Sequence, residues 1–170
     1  MKELLLLRHA KAKKLTKENG VEDKNRALKK RGKRDAKNIG NWLKKQHLLP
    51  DVLLSSTAKR AIDTSTIVYS ALNAQNLIVH ANEQLYGANV EQLLAVLASY
   101  PKEVKRILLV GHNPELESLL VYLVGKDALP NGKKLLSTAT LVRLTIDNVV
   151  WSELAHQRIQ LVSITHAADC

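Results

Sequence analysis

Arginine and histidine side chains follow two of the apolar runs in this chain. The run Leu4–Leu7 ends on Arg8 and His9, and the run Ile107–Val110 is followed by a glycine and His112. A guanidinium group presents a planar fork of N–H donors that matches phosphoryl oxygens, and a neutral imidazole can attack phosphorus. These residue types indicate phosphoryl chemistry if the fold brings the two run ends together.

Two further apolar runs end on polar residues. The run Val52–Leu54 leads into the stretch SSTAKRAIDT, which places Arg60 in the first turn of a predicted helix. The run Leu77–Val79 is followed by one carboxylate, Glu83. In open α/β sheets, ligands bind beyond the carboxyl ends of the strands, so all four run ends are expected to share one crevice.

The stretch GHNP, which contains His112, is typical of a helix start. Asn113 suits the N-cap position and Pro114 the first helical position. A helix beginning there would direct unpaired N–H groups and the positive end of its dipole at an anion. Asn113 is therefore a candidate substrate contact.

Apolar runs alternate with segments of helical spacing over most of the chain. Helices are predicted around 36–43, 61–72, 90–97 and 116–123, with Gly125 as a C-terminal stop. After Pro130, shorter strand-like pieces follow at Thr140–Leu144, Val149–Leu154 and Arg158–Val162. The pattern predicts a three-layer α/β/α sandwich with a mostly parallel central sheet and at least one antiparallel edge strand.

Length and composition favour one domain over residues 1–170. No apolar run approaches the roughly 20 residues that span a bilayer, and Arg8 and His9 interrupt the N-terminal run before it resembles a signal peptide. The one cysteine, Cys170, fits a reducing compartment, so a cytoplasmic protein without membrane association is expected.

The net charge of +10 is unevenly distributed. Residues 1–45 carry sixteen Lys or Arg against five Asp or Glu, whereas the remaining chain carries ten against eleven. This excess would attract an anionic partner, nucleic acid included, or form a solvated helix face at Lys29–Lys37. Aromatic residues, which stack on single-stranded bases, make up only 4% of the chain, so nucleic acid is the less favoured partner.

Three other reaction classes lack their motifs. No HxH, HExxH or CxxC spacing indicates a metal site, no GxxxxGK[ST] forms a phosphate-binding loop, and no GxSxG marks a serine nucleophile. Neither a metal nor another cofactor is expected.

The sequence resembles the histidine phosphatase superfamily, which has the phosphoglycerate mutase-like fold, and within it the small SixA-type branch. The matching stretches follow the family order and are LLLLRHAKA, RALKKRGKRDAKNIGNWL, SSTAKRAIDT, LYGANVEQLLAVL and GHNP. Ala27 and Thr57 stand where this family commonly has proline, and Ala10 replaces the glycine that is commoner after the first histidine.

The resemblance implies a metal-independent phosphatase with a covalent phosphohistidine intermediate. His9 would be the nucleophile, and Arg8, Arg60 and His112 would surround the phosphoryl oxygens. Arg26 would be a further anion contact or a rim charge, and Glu83 lies in the region where larger relatives place a proton donor.

Three functions stay open at this level. The first is hydrolysis of phosphohistidine on a protein, for instance a histidine-containing phosphotransfer protein. The second is hydrolysis of small phosphoesters or polyanions, and the third is non-catalytic binding of phosphate-bearing partners or nucleic acid. A phosphorylated imidazole leaves without a strong proton donor, whereas an alkoxide gains a factor of about 10²–10⁴ from one, and this favours the first function.

Overall fold

The computed structural model describes residues 1–16, 20–130, 135–147 and 150–170, and these ranges contain six strands and four α-helices. The strands are β1 (Lys2–Arg8), β2 (Val52–Ser56), β3 (Ile78–Asn82), β4 (Arg106–Gly111), β5 (Thr140–Ile146) and β6 (Ile159–His166). The helices are α1 (Lys30–Lys45), α2 (Lys59–Leu72), α3 (Val90–Ala98) and α4 (Glu115–Val124).

All six strands form one sheet in the order β3-β2-β4-β1-β5-β6. The four strands β1 to β4 are parallel, while β5 pairs antiparallel with β1, and β6 pairs antiparallel with β5 at the edge. The predicted mostly parallel sheet with an antiparallel edge strand is confirmed.

The leucine run of β1 is apolar throughout because both faces of the sheet are covered. Leu4 and Leu6 pack into a core that includes residues of α3 and α4. Leu5 and Leu7 point to the opposite face and pack with residues of α1 and α2. Side chains alternate between the faces of a strand, so a strand buried on both sides needs apolar residues at every position.

The central strands β1 and β4 send the chain to opposite faces. The helix α1, after β1, lies on one face, and α4, directly after β4, lies on the other. Arg8 of β1 pairs in register with Gly111 of β4, and the His9 N–H donates to the Gly111 carbonyl oxygen at 2.9 Å. A crevice opens where the connections after neighbouring strands lead to opposite faces of the sheet, and it holds the residues that follow β1 and β4.

Two predicted strands differ from the structure. The strand at Leu77–Val79 begins one residue later, and Ile78 and Val79 are about half exposed because β3 is an edge strand rather than a buried one. In the stretch predicted as Val149–Leu154, Val149 lies outside the described residues, and Trp151–His156 is a 3-10 helix. Trp151 and Leu154 are both buried at the three-residue spacing that puts them on one face of such a helix.

The start of α4 also differs from the prediction. Pro114 rather than Asn113 is the N-cap, and no side chain caps the helix there. The amide of Asn113 is used elsewhere, in contacts with Glu117 and Leu136. The predicted stop is confirmed, because Gly125 follows α4 with a φ of +80°.

No helix in the described part of the chain is both long enough and apolar enough to cross a membrane.

Candidate active site

A cleft of about 570 Å³ lies beyond the carboxyl ends of β1, β2 and β4. The polar residues that line it come from six separate parts of the chain, and most of them are basic. They include Arg8, His9, Lys11, Lys14, Asp23, Arg26, Arg60, Tyr86, His112, Asn113 and Glu115. The structure thus brings together the predicted site residues other than Glu83.

The two imidazoles of the cleft face each other. The ring centroids of His9 and His112 are 5.2 Å apart, and each residue is about 95% buried. Each follows the last residue of a central strand, so strand pairing fixes where the two residues lie. The loop after His9 is also held from α2, because the Ala10 N–H donates to the Thr64 hydroxyl at 3.0 Å.

The tautomer of His9 follows from its hydrogen bond. Its Nδ1 lies 2.8 Å from the Ala10 carbonyl oxygen, which can only accept, so Nδ1 carries the proton and Nε2 has the lone pair. Burial is the main cause that lowers the pKa of His9 to about 3. The Ala10 hydrogen bond opposes this lowering, while His112, Arg60 and Arg8 add to it. His9 is therefore neutral at pH 7 and can act as a nucleophile through Nε2.

His112 is neutral as well. Burial first, and then the charge of Arg60, lower its pKa to about 4. Its Nε2 is 2.8 Å from the Ser56 hydroxyl, whose oxygen also lies 3.4 Å from the Ala58 N–H. A Ser56 that accepts from Ala58 and donates to Nε2 leaves the proton of His112 on Nδ1. That nitrogen is buried without a hydrogen-bond partner among the described residues. Its N–H is therefore available to donate to a bound anion.

Three guanidinium groups line the cleft, and each is anchored to the protein through a terminal nitrogen. A terminal nitrogen of each is anchored: that of Arg8 to the Leu136 carbonyl at 2.7 Å, and those of Arg26 and Arg60 to Asp23. The Nε of all three is buried without a partner among the described residues. Unpaired buried donors are costly, and three of them around one cleft indicate a site for an oxyanion.

Asp23 holds two of these arginines. Its carboxylate accepts from Arg60 at 3.0 Å, from Arg26 at 3.1 Å and from the Tyr86 hydroxyl at 2.7 Å, and its main-chain oxygen accepts from Arg60 at 2.7 Å. Burial alone would raise the pKa of Asp23, but the Tyr86 hydrogen bond and the two arginines outweigh it and lower that pKa. Asp23 therefore stays ionised and acts as an anchor for the cations.

Glu83, the expected proton donor, does not line the cleft. Its side chain is 79% exposed and pairs with Lys24 at 2.6 Å, and this hydrogen bond lowers the pKa of Glu83. A general acid needs a raised pKa and contact with the reacting group, so the geometry does not support that role. The carboxylate in the cleft besides Asp23 is Glu115, whose Oε2 is buried without a partner among the described residues.

Asn113 lines the cleft, but its donor atoms are occupied. Its Nδ2 donates to Glu117 at 2.6 Å and to the Leu136 carbonyl at 3.0 Å, the same carbonyl that anchors Arg8. Its amide oxygen, which faces no partner among the described residues, is an acceptor and would repel a phosphoryl oxygen. Asn113 thus links the His112 loop to the anchor of Arg8, and its expected role as a substrate contact is not supported.

Sequence reasoning missed Asp23, Tyr86, Ser56 and Glu115 as site residues. Three of the four lie inside or beside stretches that carried the resemblance, but no spacing marked them. Asp23 stands in a 3-10 turn, Asp23–Asn25, in the long connection between β1 and α1, where contacts with distant residues decide the geometry. In the described ranges, no three His, Cys, Asp or Glu side chains are grouped as metal ligands.

Comparisons with known proteins agree with this arrangement. The sequence model of the histidine phosphatase superfamily (branch 1) matches residues 4–86. An uncharacterized protein of Mycobacterium tuberculosis is 32% identical over 125 residues, which span 72% of this chain and 74% of that protein.

Two solved structures cover nearly the whole chain. A protein of Agrobacterium tumefaciens that carries the name phosphohistidine phosphatase SixA superposes with a TM-score of 0.80 at 31% identity, over 96% of this chain and 97% of that one. A protein of the same name from Nakamurella multipartitia gives a TM-score of 0.77 at 31% identity, over 97% and 95% of the two chains.

The fold and the cleft together define an α/β protein whose central strands lead into a basic cleft that contains two facing histidines. The chain belongs to the histidine phosphatase superfamily, in its SixA-type branch, and is a phosphatase. The resemblance seen in the sequence is confirmed.

Proposed function

We propose that this phosphatase hydrolyses phosphohistidine on a protein substrate through a covalent intermediate on His9, without a metal. The observation that carries the proposal is the state of His9: neutral, with Nδ1 tied to the Ala10 carbonyl, and buried among three anchored guanidinium groups. Similarity to two proteins named phosphohistidine phosphatase supports the choice of substrate.

The first step transfers the phosphoryl group to the enzyme. The lone pair on Nε2 of His9 forms the new P–N bond as the P–N bond of the substrate breaks. The substrate imidazole, protonated on its other ring nitrogen, leaves as a neutral group and takes the bonding electrons. Arg8, Arg26, Arg60 and Nδ1 of His112 are placed to stabilise the phosphoryl oxygens, the main source of catalysis in phosphoryl transfer.

The second step regenerates the enzyme. Water attacks phosphorus, the P–N bond to Nε2 breaks, and both water hydrogens leave with the product as dihydrogen phosphate. His9 keeps its proton on Nδ1 throughout and returns to its starting state. Neither step needs a carboxylic acid, which fits a cleft where Asp23 is held ionised by Arg60, Arg26 and Tyr86.

A second candidate function is hydrolysis of small phosphoesters. An alkoxide leaving group needs a proton, and Glu115, with an unpartnered buried oxygen in the cleft, is the residue that would supply it. This function fits the same superfamily and differs from the first only in the leaving group.

Rapid-quench assays with a phosphohistidine peptide and with an alkyl ester, glycerol 3-phosphate, test the proposal. We expect a higher kcat/KM for the peptide, a labelled phosphoenzyme that is stable to base and labile to acid, and no loss of activity with EDTA. The variant His9→Ala should release no phosphate above background.

Three results would contradict the proposal. They are turnover by His9→Ala, a label on a residue other than His9, and a preference for the ester. His156→Ala, which changes an exposed histidine far from the cleft in sequence, is the matched control and should be fully active.

A further inference from the structure

A basic groove adjoins the cleft. It has a volume of about 300 Å³, and Thr138 lines both the groove and the cleft, so the two are neighbours at this residue. Arg31 and Arg34 of α1 line the groove, and their side chains are 73% and 69% exposed. A chain whose phosphorylated residue enters the cleft can therefore place its neighbouring residues along these arginines.

The charge of this groove is poorly balanced within the protein. Arg31 and Arg34 share one carboxylate, Asp35, at 3.4 and 3.5 Å. The first turn of α1 has no acidic residue and its N-cap side chain makes no capping hydrogen bond, so basic side chains lie at the positive end of the helix dipole. This arrangement is electrostatically unfavourable until an anion is present.

The fold keeps this helix end against the cleft. The Lys29 N–H donates to the Lys11 carbonyl at 2.8 Å, and Gly32 packs so closely on Lys11 that an added Cβ would overlap that carbonyl oxygen. Lys11 and Lys14 themselves line the cleft. The basic surface therefore continues from the cleft rim through Lys11 to Arg31 and Arg34.

We propose that Arg31 and Arg34 bind acidic residues that flank the phosphohistidine of the substrate, so that the preferred substrate is a phosphoprotein with an acidic surface around its phosphorylated residue. This inference rests on the proposed function and names its substrate class. A nucleic acid fits less well, because the described residues that line the groove include no Phe, Tyr or Trp, and their one aromatic ring is the imidazole of His166.

Matched peptides test the preference. Two peptides carry a central phosphohistidine flanked on both sides by three glutamates or by three glutamines. At low salt, the wild-type protein should show a kcat/KM about three- to tenfold higher for the glutamate peptide, the range expected of a few exposed ion pairs, and 0.5 M NaCl should largely remove this difference.

Charge-neutralising variants of α1 assign the effect to the groove. The double variant R31Q/R34Q should treat the two peptides alike, and R31K/R34K should retain most of the preference. K44Q/K45Q makes the same charge change in the last turn of the same helix and should behave as the wild type. The readout is the ratio of the kcat/KM values of two substrates on one enzyme. A loss of stability caused by changing the partners of Asp35 lowers both values equally and leaves this ratio unchanged.

Fluorescence anisotropy with the unphosphorylated peptides separates this inference from the proposed function. Suppose that neither phosphopeptide is hydrolysed while the glutamate peptide binds at least threefold more weakly to R31Q/R34Q than to the wild type. That result would contradict the proposed function and support the binding of acidic residues in the groove. Three results would overturn the inference. They are an equal preference for the glutamate peptide in R31Q/R34Q and the wild type, an equal loss of that preference in K44Q/K45Q, and displacement of the glutamate peptide by an equal concentration of a single-stranded DNA 12-mer.

Discussion

At the scale of single residues, the position of the three guanidinium groups depends on two protein acceptors. The Leu136 carbonyl anchors Arg8, while Asp23 anchors both Arg26 and Arg60. Because the anchors use terminal nitrogens, the buried Nε atoms are left for the substrate. Preorganised donors of this kind act without reorganisation when charge develops in the transition state.

The variant Asp23→Asn tests this anchoring. Asparagine keeps one acceptor but loses the negative charge and one of the two oxygens that separately bind Arg60 and Arg26. We expect kcat/KM to fall by about 10- to 100-fold on every substrate, mostly through kcat, which is less than the factor of about 10²–10³ for complete loss of one oxyanion donor.

The control for Asp23 lies on the same helix as Arg60. Asp63 pairs with Lys59 at 3.4 Å outside the lining of the cleft, so Asp63→Asn should leave kcat and KM unchanged. Unchanged kinetics in Asp23→Asn would mean that the guanidinium groups hold their positions without it.

Glu115→Gln separates the two candidate substrates. If Glu115 protonates an alkoxide, its loss should lower kcat for an alkyl phosphate by a factor of about 10²–10⁴. Turnover of a phosphohistidine peptide should change little, because its leaving group departs as neutral imidazole. Glu83→Gln is the control, since this exposed carboxylate is paired with Lys24 and should not affect either substrate. An equal loss on both substrates would contradict a role as proton donor.

The residues that could be predicted from the sequence are those at strand ends. Arg8, His9 and His112 adjoin apolar runs whose pairing as strands fixes their position. The rule that ligands bind beyond the carboxyl ends of parallel strands was therefore sufficient to predict that they lie together. Asp23 and Tyr86 meet through a hydrogen bond that spans 63 positions and connects two loops. No periodicity encodes such a contact. Glu83 was predicted because it follows the apolar run Leu77–Val79 and lies where larger relatives place a proton donor.

At the scale of secondary structure elements, the approach of α1 to the cleft depends on Gly32. In Gly32→Ala the new Cβ would overlap main-chain atoms of Lys11, which cannot move without shifting the loop after His9. Overpacking typically costs about 1–3 kcal/mol, and the gain in helix propensity of about 1 kcal/mol offsets only part of it. We expect a lower free energy of unfolding in urea and a higher KM.

Gly40→Ala provides the matched comparison. Its Cβ would meet Ala71 and Val68 of α2, a contact of similar tightness on the same helix but away from the residues that line the cleft. This variant should lose stability while KM stays as in the wild type. A KM that rises equally in both variants would show that general loosening, rather than the Lys11 contact, affects the site.

The elements themselves were largely predictable because each repeats a simple pattern. Leucine at consecutive positions of β1 follows from a sheet covered on both faces, and helical spacing located all four helices. The segment Trp151–His156 was not predictable as a 3-10 helix, since it owes its conformation to contacts with α3 that the local sequence does not specify. The exposure of β3 depends on its place at the sheet edge, which local hydrophobicity does not reveal.

At the scale of the whole molecule, the fold buries two histidines directly after its two central strands, and this burial couples folding to protonation. The pKa values are about 3 for His9 and about 4 for His112 in the folded protein, against about 6.5 when unfolded. Between these values the unfolded state binds more protons, so stability rises with pH. Well above pH 6.5 both histidines are neutral in both states and the contribution vanishes.

We therefore expect the free energy of unfolding to fall as the pH is lowered from 7 to 5, by roughly 2 kcal/mol for each histidine. Urea titrations at pH 7, 6 and 5 in buffers free of phosphate and sulfate would measure this, since a bound oxyanion would favour protonation of both rings. The variants His9→Gln and His112→Gln should each show a shallower slope, whereas His156→Gln, at an exposed position, should match the wild type. Carboxylates with ordinary pKa values titrate mainly below this range, so a wild-type slope that survives both cleft substitutions would mean that the two imidazoles are not held neutral by the fold.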